Sequence, residues 1–166
     1  MGTQLVVSKS INEVAERLDA IAADLDGATS HDTPFKLAVT LAQGIVTMRK
    51  ELAVPEVMAA FTELQNTAMG FMTDRNPANI NQKTGKPYEP YSSDTVRDCI
   101  IESTMLGAYP VNNEFNIIGA RVYLAKNFFV RKLRTFPGMT DFKPLPGLPR
   151  TVSERGAIVP YKATWR

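Results

Sequence analysis

The 166-residue chain has little of what most enzymatic centres are built from: one cysteine, one histidine and one tryptophan. Cys99 has no partner for an internal disulfide, and one cysteine with one histidine falls short of the four Cys/His ligands of a conventional zinc site. A Ser-His-Asp arrangement would have to use His31, in a polar turn ahead of a helix, and nothing local supports it. The one "TGK", Thr84 to Lys86, is followed by proline and lacks the glycine spacing of a phosphate-binding loop, so no nucleotide hydrolysis is indicated. No apolar run approaches the ~20 residues that a bilayer needs. The start, MGTQLVVSKS, lacks the basic n-region, long apolar centre and cleavage site of a secretory signal. These absences point to a reducing, cytoplasmic setting, with no catalytic residues, no metal site and no membrane partner.

What is present is an ordinary folding composition with an uneven charge. Apolar residues make up 44% of the chain and charged residues 22%, and a single domain of this length can bury a real core. Residues 1–70 carry five Lys/Arg against nine Asp/Glu, a net of −4, and residues 71–111 carry four against five, a net of −1. Residues 112–166 carry ten Lys/Arg against Glu114, Asp141 and Glu154, a net of +7. The total of +2 thus conceals an acidic front and a basic last third, an asymmetry that suits an anionic partner.

Hydrophobic spacing predicts three helices within residues 10–70. Ser10-Ile-Asn-Glu13 reads as a capping box, followed by Ile11, Val14, Leu18, Ile21 and Leu25 at helical spacing and by Gly27 as the stop. Thr33-Pro34 opens the second helix, with Leu37, Leu41, Ile45, Met48 and Leu52 on one side. Val54-Pro55 opens the third, carrying Val57, Met58, Phe61, Leu64 and Ala68. Residues 73–93 form a long polar loop, with a small hairpin expected around Lys83-Thr84-Gly85-Lys86. A fourth helix runs from about Asp94 to Leu106, with Val96, Ile100, Ser103, Thr104 and Leu106 inward and Gly107 as its stop.

Beyond Gly107 the period changes to two. One strand is expected over 117–124, with Ile118, Ala120, Val122 and Leu124 on one face and Ile117, Gly119, Arg121 and Tyr123 on the other. Asn127 then caps a helix from Phe128 to about Phe136, closed by Pro137-Gly138. Phe129, Leu133 and Phe136 are expected to pack, while Phe128, Arg131, Lys132 and Thr135 face outward. "KPLPGLPR" reads as a linker to a last strand, "GAIVPYKATWR", whose proline marks an edge or a bulge. The class is α+β: N-terminal helices, then a small antiparallel sheet with an intervening basic helix.

Two chemistries suit these residues. Asp94, Asp98 and Glu102 lie at i, i+4 and i+8, a spacing that a metal-dependent nuclease could use and that a solvated helix face explains more simply. The basic third interleaves cations with aromatics, as a surface for single-stranded nucleic acid does: cations follow the phosphates and flat side chains stack bases at about 1–3 kcal/mol each. Arg121 and Tyr123 on the strand, and Phe128, Arg131 and Lys132 on the helix, supply both elements.

The pieces "TVRDCIIESTMLGAYPVNNEFNIIGARVYLAKNFFVRKLR", "GMTDFKPLPGLPR" and "GAIVPYKATW" occur in an order that resembles the RecT family of phage single-strand annealing proteins, related to phage Red beta. The resemblance covers roughly residues 56–166 and is stronger after Thr95. It implies a RecT/Red beta-like core that binds single-stranded DNA and anneals complementary strands without ATP, in phage-type homologous recombination. It implies assembly as a ring or helical filament, with single-stranded and annealed duplex DNA in a basic groove. Partners would include a phage exonuclease and the host single-strand-binding protein; no cofactor is implied beyond Mg²⁺ in support of annealing. Arg121, Tyr123 and Lys126 match the strand and turn that open the family's DNA-binding half, and Arg131, Lys132 and Arg134 match its basic helix. With Phe128, Lys143, Arg150, Arg155 and Lys162 they make up the expected DNA-binding set. Relatives continue beyond the position of Trp165-Arg166 into a partner-binding region, which this sequence is expected to lack. The alternative is a self-assembling module whose basic surface meets an acidic partner, without annealing.

Overall fold

The structure, a computed structural model, describes residues 2–28, 33–140, 143–146, 150–153, 156–158 and 161–164. The chain forms two compact units, residues 1–128 and 129–166. The class is α+β.

In the first unit, α1 (Gly2–Ala28), α2 (Pro34–Glu51), α3 (Pro55–Glu63) and α4 (Ser93–Met105) pack on one another, and α4 also packs against a small sheet. Pro34 and Pro55 open α2 and α3 as expected, where their missing N–H costs no hydrogen bond. The α1 prediction needs correction. The helix starts at Gly2, so Ser10 lies inside it, and it passes through Gly27 to Ala28. No proline or glycine interrupts residues 3–9, and a Ser-x-x-Glu pattern is compatible with a helix interior. Helix α3 is shorter than its periodicity suggests. Leu64 is its C-cap, and the chain doubles back through Asn66 at φ 58° so that Asn66 N–H donates to Phe71 O at 2.8 Å. Gly70 is required in this turn, because a Cβ there would overlap the Leu64 carbonyl. Helix α4 begins at the Ser92 cap, whose hydroxyl accepts from Thr95 N–H at 3.4 Å, and stops before Gly107 at φ 75°. Leu106, expected inward, is exposed at its C-cap.

The core collects Val14 of α1, Met48 and Leu52 at the end of α2, Val57 and Met58 of α3, and Val96, Cys99, Ile100 and Ile101 of α4. Phe71 and Phe115 stack within it at 5.0 Å between ring centres. Above them lies a three-stranded sheet of β1 (Met72–Thr73), β2 (Phe115–Ile118) and β3 (Arg121–Leu124), in the order β1-β2-β3. The sheet is mixed rather than antiparallel: β1 runs parallel to β2, and β2 antiparallel to β3.

Helix α5 (Lys126–Arg134) crosses from the first unit into the second. The second unit also holds β4 (Lys143–Pro146), β5 (Arg150–Ser153), β6 (Gly156–Ile158) and β7 (Tyr161–Thr164). They form two antiparallel pairs, β4-β7 and β5-β6, the latter with a register shift between Thr151 and Ser153. Two expectations are corrected here: "KPLP" is strand rather than linker, and "GAIVPYKATWR" divides into β6 and β7. Val159, Pro160 and Trp165 lie outside the described residues. Among the described residues no helix is long and apolar enough to cross a membrane.

Candidate nucleic-acid interface

The predicted strand over 117–124 is a hairpin. Gly119 and Ala120, both at φ 58°, form its two-residue turn, and Ile118 pairs with Arg121. Two central residues at positive φ give the turn whose twist matches that of paired strands. Paired residues share a face, so the turn reverses the parity of the side chains that precede it. Ile117, expected outward, is 0% exposed, and Ile118, expected inward, is 44% exposed. Past the turn the expectation holds: Val122 and Leu124 pack against the core, while Arg121 and Tyr123 are exposed.

One sheet face therefore carries Phe115, Ile117, Val122 and Leu124 into the core. The other presents Met72, Asn116 and Tyr123 in one cross-strand row and Ile118 with Arg121 in the next. No carboxylate lies in the three strands. This face can stack a planar group on Tyr123 and hold an anion at Arg121.

A hydrogen-bonded cluster around the buried Tyr91 fixes the end of the hairpin. The Tyr91 hydroxyl donates to Asp74 Oδ1 at 2.8 Å and accepts from Ala120 N–H at 2.9 Å, while Asp74 Oδ2 accepts from Gly119 N–H at 3.0 Å. Both turn amides are thereby satisfied by residues about 30 and 45 positions away in sequence. Burial, then the hydrogen bond to Asp74, raise the Tyr91 pKa above its ordinary value and keep the hydroxyl protonated. The Arg75 guanidinium lies 4.5 Å from the Tyr91 ring centre, a cation–π contact. Below the turn, Cys99 Sγ donates to Ala120 O at 3.8 Å. Burial, helped by Glu102 and Asp98, pushes its pKa up to about 11. Sequence reasoning missed Asp74, Arg75 and Tyr91, because their roles depend on contacts across the loop and no local motif announces them.

Among the residues expected to bind DNA, Arg121, Tyr123 and Lys126 are exposed in the first unit. Phe128 is a correction: it is 7% exposed in the core, whereas Phe129, Leu133 and Phe136, expected to pack, are exposed, Phe129 at 51%. The start of α5 explains the reversal. Ala125 N–H donates to Glu114 O at 2.8 Å, Phe128 N–H donates to Ala125 O at 3.1 Å, and Asn127 Nδ2 donates to Asn112 O at 2.6 Å. These bonds turn Phe128 inward, and they place Asn127 inside the helix rather than at its cap. In the second unit, Arg131 and Lys132 are half-buried and Arg134 is exposed. Lys143 lies in β4, Arg150 in β5 and Lys162, exposed, in β7; Arg155 lies outside the described residues. The structure thus unites Arg121 and Tyr123 on one face, and it divides the remaining cations among Lys126, the second half of α5 and two strand pairs.

The carboxylates of α4 are exposed and partnered in part. Arg97 pairs with Asp94 at 2.9 Å and with Asp98 at 3.7 Å, and Arg49 reaches Asp98 at 3.8 Å. Among the described residues no group of three or more His, Cys, Asp or Glu is arranged to hold a metal ion. His31 lies outside them. Comparison with family models, curated proteins and solved structures finds no match to this chain.

Proposed function

We propose that this protein binds single-stranded DNA along the outer sheet face and the basic last third, and that it promotes ATP-independent annealing of complementary strands in phage-type recombination. The fold would be a RecT/Red beta-like annealing core. The observation that carries the reading is the outer face of β1-β2-β3, where Tyr123 and Arg121 stand exposed side by side in strands that hold no carboxylate, at the start of a segment of net charge +7. Cations would neutralise the repulsion between two polyanions, Tyr123 would stack a base, and pairing itself would supply the free energy. The protein would act in the host cytoplasm as a ring or filament, with Mg²⁺ as an aid to annealing. An exonuclease and a single-strand-binding protein are the proposed partners.

Salt dependence tests this. If each subunit neutralises about four phosphates, the oligonucleotide binding constant falls with salt at a log–log slope near −3. Replacing Arg121 with alanine makes the slope shallower by about 0.7 and leaves the fold intact. Salt-independent binding, or no binding, contradicts the proposal.

A second reading, a self-assembling module without annealing activity, is favoured by a separate feature of α2. Phe35, Val39, Ala42 and Val46 follow the 4-3-4 spacing of a helix seam and face solvent, Phe35 at 88% and Val46 at 70%. A second copy of the chain is the proposed occupant: in an antiparallel pairing of two α2 helices, Phe35 meets Val46 and Val39 meets Ala42, and each contact recurs by symmetry.

A further inference from the structure

The polar loop between β1 and α4 belongs to the same unit as the outer sheet face, and it is folded. Ile80 bridges Pro87, Asn81 N–H donates to Lys86 O at 2.8 Å, and Gly85, at φ 68°, accommodates the bend. Tyr88 N–H donates to Asn79 O at 3.1 Å, which closes the base of the loop. The result is an open basin of about 620 Å³ lined by Arg75, Asn81, Thr84, Lys86, Tyr88 and Glu89. Arg75 and Lys86 are exposed, and among the described residues neither pairs with a carboxylate.

Position gives the basin its meaning. Asp74 N–H donates to Ile117 O at 3.1 Å and its carboxylate accepts from Gly119 N–H, so Arg75 leaves the sheet at the hairpin turn. Arg121 is the first residue after that turn. The cation–π contact with Tyr91 holds the guanidinium at this end of the sheet, and Arg75 remains exposed there.

We propose that this basin is a nucleotide subsite for single-stranded DNA, with phosphate held by Arg75 and Lys86 and the base set against Tyr88. Glu89 repels phosphate and can accept from a base N–H, such as thymine N3–H, which orients the nucleotide base-first toward it. The strand's path would then begin outside the basic third, at a segment whose own net charge is close to zero. This rests on the reading that the outer sheet face binds DNA, and it extends that face past the hairpin turn.

The test uses a fluorescein-labelled oligothymidylate, with anisotropy read across a salt series, on wild type and on Lys86→Ala, Arg75→Ala and Tyr123→Ala. The proposal expects Lys86→Ala and Arg75→Ala each to weaken binding and to make the salt slope shallower by about 0.7. Photocrosslinking of a bromouracil-substituted strand is expected to label Tyr88. If Tyr123→Ala weakens binding while both loop variants bind like wild type and Tyr88 stays unlabelled, the subsite is refuted and the sheet reading survives. If wild type does not bind, both fall. Arg75 also touches Tyr91, so a loss of helical signal in Arg75→Ala leaves the decision to Lys86→Ala, whose side chain is exposed.

Discussion

Ala120 and Tyr91 are the two residues on which the hairpin turn depends most. Ala120 sits at φ 58°, where its Cβ crowds the following carbonyl and costs roughly 1–2 kcal/mol. Ala120→Gly removes that strain at some entropic cost in the unfolded chain, so stability should rise by about 1 kcal/mol, read from thermal or urea unfolding. Tyr91→Phe has the opposite effect. Without the hydroxyl, Asp74 Oδ1 and the Ala120 amide lose their partner in a site where Tyr91 is 4% exposed. Asp74 and Ala120 are themselves exposed, so the loss is that of ordinary hydrogen bonds, and the same unfolding measurement should show a decrease of about 0.5–1.5 kcal/mol. A Tyr91→Phe protein as stable as wild type would mean that water satisfies both groups.

Helix α2 is apolar on two sides. Met48 and Leu52 reach the core and Leu37, Leu41 and Ile45 are half-buried, while Phe35, Val39 and Val46 form the outer stripe. Replacing Phe35 and Val46 with serine should change stability by no more than about 0.5 kcal/mol each, because neither side chain is packed. If the stripe joins two copies, sedimentation velocity should show a shift to smaller species; an unchanged distribution removes it as a contact. The helices were largely legible in the sequence because proline at N1, a serine cap and Gly107 are local signals. The hairpin was not. Gly119-Ala120 lacks the Asn-Gly signature, and the alternation runs across the turn unbroken, so it matches the faces of Arg121 and Tyr123 and inverts those of Ile117 and Ile118. In α5 the adjacent Phe128 and Phe129 offer two equally apolar faces, and the choice is made by hydrogen bonds from Asn127 and Ala125 that no periodicity encodes.

Across the whole chain, the acidic front and basic last third are read directly from the sequence, and the division into two units is not. That division matters to the account, because Arg121 and Tyr123 belong to the first unit and Arg131, Lys132 and Arg134 to the second. Arg121→Ala and Arg134→Ala should each weaken oligonucleotide binding and each make its salt slope shallower by about 0.7. The most direct test of the central claim is the rate at which two complementary fluorescent strands anneal without ATP. The account predicts a clear acceleration by the wild-type protein, a reduced one by Arg121→Ala combined with Tyr123→Ala, and an unchanged fold in that variant. Annealing no faster than that of protein-free DNA, or an equal acceleration by the double variant, would contradict it.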